Sequence, residues 1–452
     1  MTQLRIDNAR VIDPANVFDE NRTLYIKDSK IAPNGAANET VIDATGLVVC
    51  PGFIDLYARL REPGFTTKGT IASESQAALK GGFTTVFCSP DTNPVTDSTS
   101  TVELIRQKAN AANGARVIPI AALTTRLAGE RLSEMATLYQ AGCLLAGHAD
   151  EPLADTGVLL SAMEYASSFD IPIVITPNDP AIARNGCAHA GAVATRLGLP
   201  GISVAAETVA LAKLIELCRA THCRLHISRL SSARAVELIR QAKADGLRIT
   251  ADVGIHHLYF SHEQINGFDV NFHSMVPFRS IEDRAALRAG VRDGTIDAIC
   301  SDHAPHDKDS KLAPFPSSSA GLSAFDLFVP LLFGLPDLLN MSLIDVIAKV
   351  TTAPARIVAR SDASILSTTG YAVFDDADYS LAADSVADLV LIDPNAAADT
   401  ASHTFLSKGQ NSPLINASSL MQCTGEDVTL KGSVTHALVR GESKSLGPTG
   451  TE

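Results

Sequence analysis

Three consecutive stretches, Cys223-Arg-Leu-His-Ile-Ser228, Ser231-Ser-Ala-Arg-Ala-Val-Glu-Leu-Ile-Arg-Gln-Ala-Lys-Ala244 and Leu247-Arg-Ile-Thr-Ala-Asp-Val253, read as strand, helix and strand. Strands joined through a helix lie parallel, because parallel neighbours need a long crossover whereas antiparallel ones can be joined by a tight turn. The same unit recurs in both directions from here. Upstream, candidate strands fall at Phe53–Tyr57, Phe83–Cys88, Arg116–Ala121, Cys143–Gly147 and Ile171–Thr176, and downstream at Ile296–Ser301. Helix-like stretches at Thr70–Leu79, Ser98–Ala112, Ser203–Thr221 and Ser280–Arg292 separate them. Each opens on Ser or Thr, whose hydroxyl can accept from the free N–H groups of a first helical turn. Eight strands alternating with helices predict an α/β fold, a (β/α)8 TIM barrel. An open doubly wound sheet is the competing architecture, and the count of eight favours the barrel. No internal sequence repeat is evident.

The ends of the chain are patterned differently. Leu4-Arg-Ile6, Thr23-Leu-Tyr-Ile-Lys27, Thr40-Val-Ile-Asp43 and Gly46-Leu-Val-Val-Cys50 are short strands with turns between them. Asp388-Leu-Val-Leu-Ile-Asp393, Val428-Thr-Leu-Lys-Gly432 and Thr435-His-Ala-Leu-Val-Arg-Gly441 return to that style. Residues 1–50 and 362–452 are therefore expected to form one small β-sandwich domain, with 51–361 as the barrel. A chain of 452 residues accommodates both, since such a barrel takes about 250.

Composition narrows the function. Hydrophobic residues make up 46% and charged residues 19%, the balance of a globular protein with a large core. The net charge of −13, without any Lys/Arg run, argues against nucleic acid or any broad phosphate-binding surface. No stretch is long and apolar enough for a membrane span, and the start Met1-Thr-Gln-Leu-Arg-Ile-Asp7 lacks the apolar core of a secretory signal. Eight scattered cysteines with no CxxC pair read as buried reduced thiols of a cytoplasmic protein.

In such a barrel the chemistry sits where strands end, so those residues decide function. The first strand runs Pro51-Gly-Phe-Ile-Asp-Leu-Tyr-Ala-Arg-Leu-Arg-Glu-Pro-Gly64. It resembles the segment of type I dihydroorotases, members of the amidohydrolase superfamily, that carries H-x-H followed by L-R-E-P-G. Tyr57 and Arg59 stand where that family has its two metal-binding histidines. The i, i+2 spacing points both side chains to one face. A phenol is a poor ligand at neutral pH, and arginine has no lone pair to offer.

The resemblance covers most of the chain. Gly81-Gly-Phe-Thr-Thr-Val86 leads to Ser89-Pro-Asp-Thr92, with Asp91 where the family has a substrate-binding Asn. After strand four, Ala146-Gly-His-Ala-Asp-Glu151 puts His148 nearest the metal-bridging carboxylate position, with Asp150 close by. Thr176 replaces a ligand histidine after strand five. In His226-Ile-Ser-Arg-Leu-Ser231 the first histidine persists and the ligand histidine becomes Arg229. Thr250–Leu258, Pro277–Arg284 and Asp293–His306 follow the family closely, and its catalytic aspartate maps to Asp302. Phe405-Leu-Ser-Lys408 and Asn411-Ser-Pro413 resemble its closing segment.

The resemblance implies a pseudoenzyme. Tyr57, Arg59, Thr176 and Arg229 are degenerate metal-ligand positions, His148 is the residue to watch, and Asp302 is a vestige of the catalytic set. No catalytic centre is intact, and zinc is expected to be absent, leaving no cofactor. The cations Arg59 and Arg229, placed where metal would sit, are expected to pair with Asp302 or an acid of the strand-four loop. The histidines His226, His256, His257, His303 and His306 are expected to be packing residues bonded to neighbouring backbone. Arg61, at the family's substrate-carboxylate position, forms a candidate anion pocket with Asp91 and His306. The Ser/Pro-rich Lys308–Gly321 reads as a mobile loop or a lid remnant. In this family, metal-free chains assemble with aspartate transcarbamoylase, so the resemblance implies a structural partner of that enzyme's catalytic chain in pyrimidine biosynthesis. A hetero-oligomer is expected, with a homodimer also open. The rival readings are an active cyclic amidase or dihydroorotase with a relocated site using His148 and Asp302, and a ligand-sensing pseudoenzyme built on the arginine pocket.

Overall fold

The computed structural model describes residues 3–35, 39–151, 153–359, 379–401, 404–415 and 430–446. Its centre is a ring of parallel strands: β1 (Phe53–Ala58), β2 (Phe83–Cys88), β3 (Arg116–Pro119, continued by Ala121–Ala122), β4 (Ala146–Gly147), β5 (Ile173–Ile175), β6 (Leu225–Ile227), β7 (Ile249–Gly254) and β8 (Ala298–Cys300). Each pairs in parallel with the next. The ring closes where the Arg59 amide donates to the His303 carbonyl at 2.9 Å and the Ser301 amide donates to Asp55 Oδ1 at 3.2 Å. The (β/α)8 expectation is met, strand by strand.

Local chemistry places the crossovers. α1 (Ile71–Lys80) starts at Thr70, which accepts from the Ser73 amide in a capping box. α2 (Thr99–Ala112), α3 (Val204–Thr221), α4 (Ala233–Ala244) and α5 (Ile281–Asp293) are capped by Ser98, Ser203, Ser232 and Ser280 in the same way. Phe53, Phe83, Phe325 and Phe328 stack with ring centroids 4.5–6.2 Å apart and fill the lower core.

Both termini share one mixed sheet of eight strands. Gln3–Asp13 pairs antiparallel with Phe18–Lys27 and parallel with Thr40–Asp43 and Val48–Pro51, and the last of these pairs antiparallel with Leu389–Ala397, which leads to Lys431–Val439 and Glu442–Lys444. Of the expected segment 428–432, Lys431 and Gly432 are strand and Leu430 is not; residues 428–429 lie outside the described residues, as do the 361/362 boundary and Cys423. The other seven cysteines are buried and free.

Two expectations change. The fourth strand shortens to Ala146–Gly147, because Leu138–Leu145 is taken up by a helix end and its turn. Residues 308–321, expected as a mobile loop or lid remnant, hold two short 3-10 turns, Asp309–Lys311 and Phe315–Ser317. Phe315 is buried and stacks on His273 at 4.9 Å, and Lys311 Nζ donates to the Val270 carbonyl at 3.0 Å. Ser310, Pro316 and Ser317 lie within these turns.

The segment 404–415 straps across the barrel. Buried Glu74 of α1 gathers it: Oε2 accepts from Ser407 Oγ at 2.6 Å and pairs with His303 Nε2 at 2.8 Å, while Oε1 accepts from the Lys408 amide at 3.0 Å. The Ala324 amide donates to His303 Nδ1 at 3.0 Å, so the ring proton sits on Nε2 and points at Glu74.

Candidate functional site

The mouth of the barrel is lined by residues that follow the strands: Tyr57 and Arg59 after β1, Asp91 after β2, Asp150 after β4, Thr176 after β5, Arg229 after β6 and Asp302 after β8. Arg229 lies at its centre with no side-chain exposure. Its Nη1 donates to Asp302 Oδ1 at 2.8 Å, and its Nη2 donates to Thr176 Oγ1 at 2.6 Å and to Asp150 Oδ1. Arg59 takes the other half of Asp150, donating Nη2 to Oδ2, and binds Asp91 Oδ2 through Nε at 2.7 Å. One carboxylate is thus clamped between two guanidinium groups. The Tyr57 ring lies under both, 4.6 Å from Arg229 Cζ and 5.5 Å from Arg59 Cζ. The Tyr57 hydroxyl accepts from Ser89 Oγ at 2.8 Å. The expected arginine–carboxylate pairing is present on both arginines.

The electrostatics follow. Burial works to raise the Asp150 pKa, but the two arginines overcome it and hold the carboxyl well below its ordinary range. Burial works to lower both guanidinium pKa values, and the facing carboxylates more than reverse this. Burial pushes the Tyr57 phenol up, Arg59 opposing, so it stays protonated. Arg229 and Asp302 also share a backbone feature, φ of +60° and +52°. Left-handed backbone at non-glycine residues costs of order 1–3 kcal/mol each where the surroundings impose it. The Arg229 amide accordingly donates to buried Asp252 Oδ1 at 2.6 Å, which fixes the turn.

Beneath this layer is a second set of polar groups that sequence reasoning missed. Asp252 also bonds His226 Nε2 at 2.9 Å, and Asp55 accepts from Ser301. Two carboxylates at inward strand positions flanked by apolar residues were the available signal. Burial raises the Asp55 pKa to about 7, against the Ser301 hydrogen bonds and with help from Asp252. Unfolded, such a group titrates near 3.9. Between these values the folded state binds the extra proton, so the Asp55 contribution to stability is lost as pH rises through about 7. The stability difference between the native chain and Asp55→Asn is therefore expected to shift against the native chain from pH 5 to pH 8 in guanidinium titrations. A pH-independent difference would remove this reading.

Several assignments need correction. The strand-four residue facing the arginines is Asp150. His148 is buried and lines an adjoining cavity with Leu153, Leu159 and Leu214. Asp91 pairs with Arg59, whereas Arg61 donates Nε to the Pro305 carbonyl at 3.0 Å and contacts His306 Nε2 at 3.1 Å. Burial and then Arg59 lower the Arg61 pKa to about 10. Of the remaining histidines, His257 and His306 reach backbone carbonyls as expected, but His226 and His303 pair with Asp252 and Glu74.

The family metal does not fit this donor set. Both Asp150 oxygens and one Asp302 oxygen already receive guanidinium donors, and a dication would meet two fixed cations. Among the described residues no other group of His, Cys, Asp and Glu could hold a metal ion. Nor is any helix among them long and apolar enough to cross a membrane.

The Dihydro-orotase-like family profile matches residues 46–235. A Dihydroorotase-like protein of Pseudomonas aeruginosa is 39% identical over 417 residues, covering 91% of this chain and 95% of its own. The chain belongs to the dihydroorotase-like family. A second Dihydroorotase-like protein, from Pseudomonas putida, is 38% identical and covers 97% of this chain and 98% of its own. A Dihydroorotase of Syntrophotalea carbinolica is 40% identical over 357 residues, 78% of this chain and 84% of its own. Among solved structures, the L-hydantoinase (dihydropyrimidinase) from Arthrobacter aurescens superposes with a TM-score of 0.82 at 20% identity, covering 100% of this chain and 98% of its own. That likeness shows the fold: a (β/α)8 barrel with a small β domain. The dihydroorotase-like barrel is therefore present, with an ion-pair cluster at the family's metal position.

Proposed function

We propose that this dihydroorotase-like chain is non-catalytic and acts as an assembly subunit of aspartate transcarbamoylase in pyrimidine biosynthesis. The observation that carries the first half is the clamp of Asp150 between Arg59 and Arg229, with Asp302 on the far arginine. Amide hydrolysis in this family needs a polarised carbonyl and an activated water, and metal supplies both. Here Asp302, the one surviving catalytic acid, is committed to an arginine. The second half rests on the resemblance to metal-free family members that assemble with the transcarbamoylase. In that role the barrel supplies shape and a stable surface, and the arginine cluster lets it fold without metal.

Purified chain is expected to carry no stoichiometric zinc and to leave dihydroorotate unhydrolysed when zinc is added. Co-expressed with the transcarbamoylase catalytic chain of the same host, it is expected to elute as one larger assembly. Stoichiometric metal with turnover would replace this reading with the relocated-site enzyme. Transcarbamoylase that elutes unchanged with and without the chain would remove the assembly role.

A further inference from the structure

A cavity that the mouth does not use lies in the barrel wall, between the loops that follow β4 and β5, and is walled by α3 and the helix Thr156–Ser168. Sequence spacing sets part of its chemistry. On α3, Ala210, Lys213 and Leu214 stand at i, i+3 and i+4, so they share one face of the helix. Ala210 and Leu214 meet Leu153 and Leu159 to make an apolar pocket of about 80 Å³. A water takes up about 30 Å³ in the liquid, so the pocket has room for a short aliphatic group and little more.

Two charges of opposite sign line this cavity. Lys213 is half-buried and Glu151 is exposed. Among the described residues, neither side chain makes a hydrogen bond or an ion pair, with the other or with any third group. The acid on the inner wall, Asp150, is already committed, since both of its oxygens accept from Arg59 and Arg229. Thr176 Oγ1, on the same wall, accepts from Arg229 at 2.6 Å. Cavity and mouth are thus back to back, and the charges left for a ligand in the cavity are Lys213 and Glu151. A lone surface charge is commonplace. A cation and an anion that flank one apolar pocket without meeting each other make a pattern that a zwitterion with an apolar tail completes, because each of its charged ends gains a charge-assisted hydrogen bond.

We propose that this cavity binds an α-amino acid with a short aliphatic side chain, its carboxylate on Lys213, its ammonium on Glu151 and its side chain among Leu153, Leu159 and Leu214. The proposal does not depend on whether the mouth is catalytic. Its test titrates the full chain with valine, by calorimetry and by saturation-transfer NMR. Saturable binding with a Kd at or below about 1 mM is expected, with the valine methyl protons receiving the strongest transfer. Isovalerate lacks the ammonium and isobutylamine lacks the carboxylate. Each is expected to bind about 10-fold more weakly than valine, or worse, for the loss of one charge-assisted contact. Glycine, without the apolar group, is expected to fall by about the same factor or more. Lys213→Gln, on a helix surface, is expected to weaken valine about 10-fold and leave isobutylamine unchanged. Glu151→Gln is expected to weaken valine and leave isovalerate unchanged. Arg61→Gln at the mouth is expected to leave valine binding as it is. Absence of saturation with valine overturns the proposal, as do equal affinities for valine and isovalerate, native affinity in Lys213→Gln, or loss of binding in Arg61→Gln.

Discussion

Arg229→Met is expected to cost about 3–5 kcal/mol of stability, the range for removing one partner of a buried ion pair. The side chain is fully buried and donates to Asp150, Asp302 and Thr176 at once. Methionine fills much of the volume, so the loss reports charge and hydrogen bonding rather than a cavity. Arg59 still reaches Asp150, but Asp302 has no other guanidinium bond among the described residues. Arg229→Lys should recover only part, because an ammonium cannot reproduce the planar fork. Adding Asp150→Asn to Arg229→Met should recover more than it does in the native background, since it removes one of the uncompensated charges. Guanidinium unfolding followed by circular dichroism measures all five proteins, the native chain, the three single variants and the double variant. A loss below about 1 kcal/mol would mean that solvent already compensates these carboxylates, and the charge-replacement account would fall.

The second large effect is at the strap. Glu74→Ala is expected to cost about 3–5 kcal/mol, because it orphans the buried His303 Nε2–H and Ser407 Oγ–H and frees the Lys408 amide. Each orphaned buried donor costs about 1–3 kcal/mol. Unlike the arginine variant, this one should also open 404–415 to proteases before the barrel unfolds, since Glu74 is the common anchor for its first turn. Cleavage mapped by mass spectrometry within 404–415 is the expected signature. Equal protease resistance in native chain and variant would show that the other anchors hold the strap without it: Asp326, which accepts from the Leu406 and Ser407 amides, and Asn411, which bonds the Ala304 and Gly321 carbonyls.

Much of this was legible in the sequence for identifiable reasons. Strands such as Phe83–Cys88 are runs of aromatic and β-branched residues buried throughout, because both faces of a barrel strand are covered, and serines at 98, 203 and 280 mark helix starts by capping chemistry. Tyr57, Arg59, Thr176 and Arg229 could be placed because the motifs around them are intact. The strand-four loop could not: alignment there slides by a residue or two, and His148 and Asp150 are two apart. Only the folded loop, with Ala149 at φ +54°, shows which one meets the arginines. Asp55 and Asp252 gave only a weak signal, a carboxylate at an inward strand position among apolar residues, and nothing in that pattern told what each would bond. The two 3-10 turns within 308–321 were not legible because composition reports turn chemistry, which short helical turns share with open loops.

The clamp on Asp150 also bears on the history of the barrel. Its four substituted positions are no longer independent, because each arginine is stabilised by acids that also need the other. Restoring a histidine at 229 alone would strand Asp302 and half of Asp150 before any ion could be held, and restoring one at 59 alone would strand Asp91. Every single step back toward a metal site therefore passes through a destabilised protein. On the proposed non-catalytic reading the cluster works as a ratchet: with both guanidinium groups on the same carboxylate, no single substitution leads back to a metal site without a loss of stability.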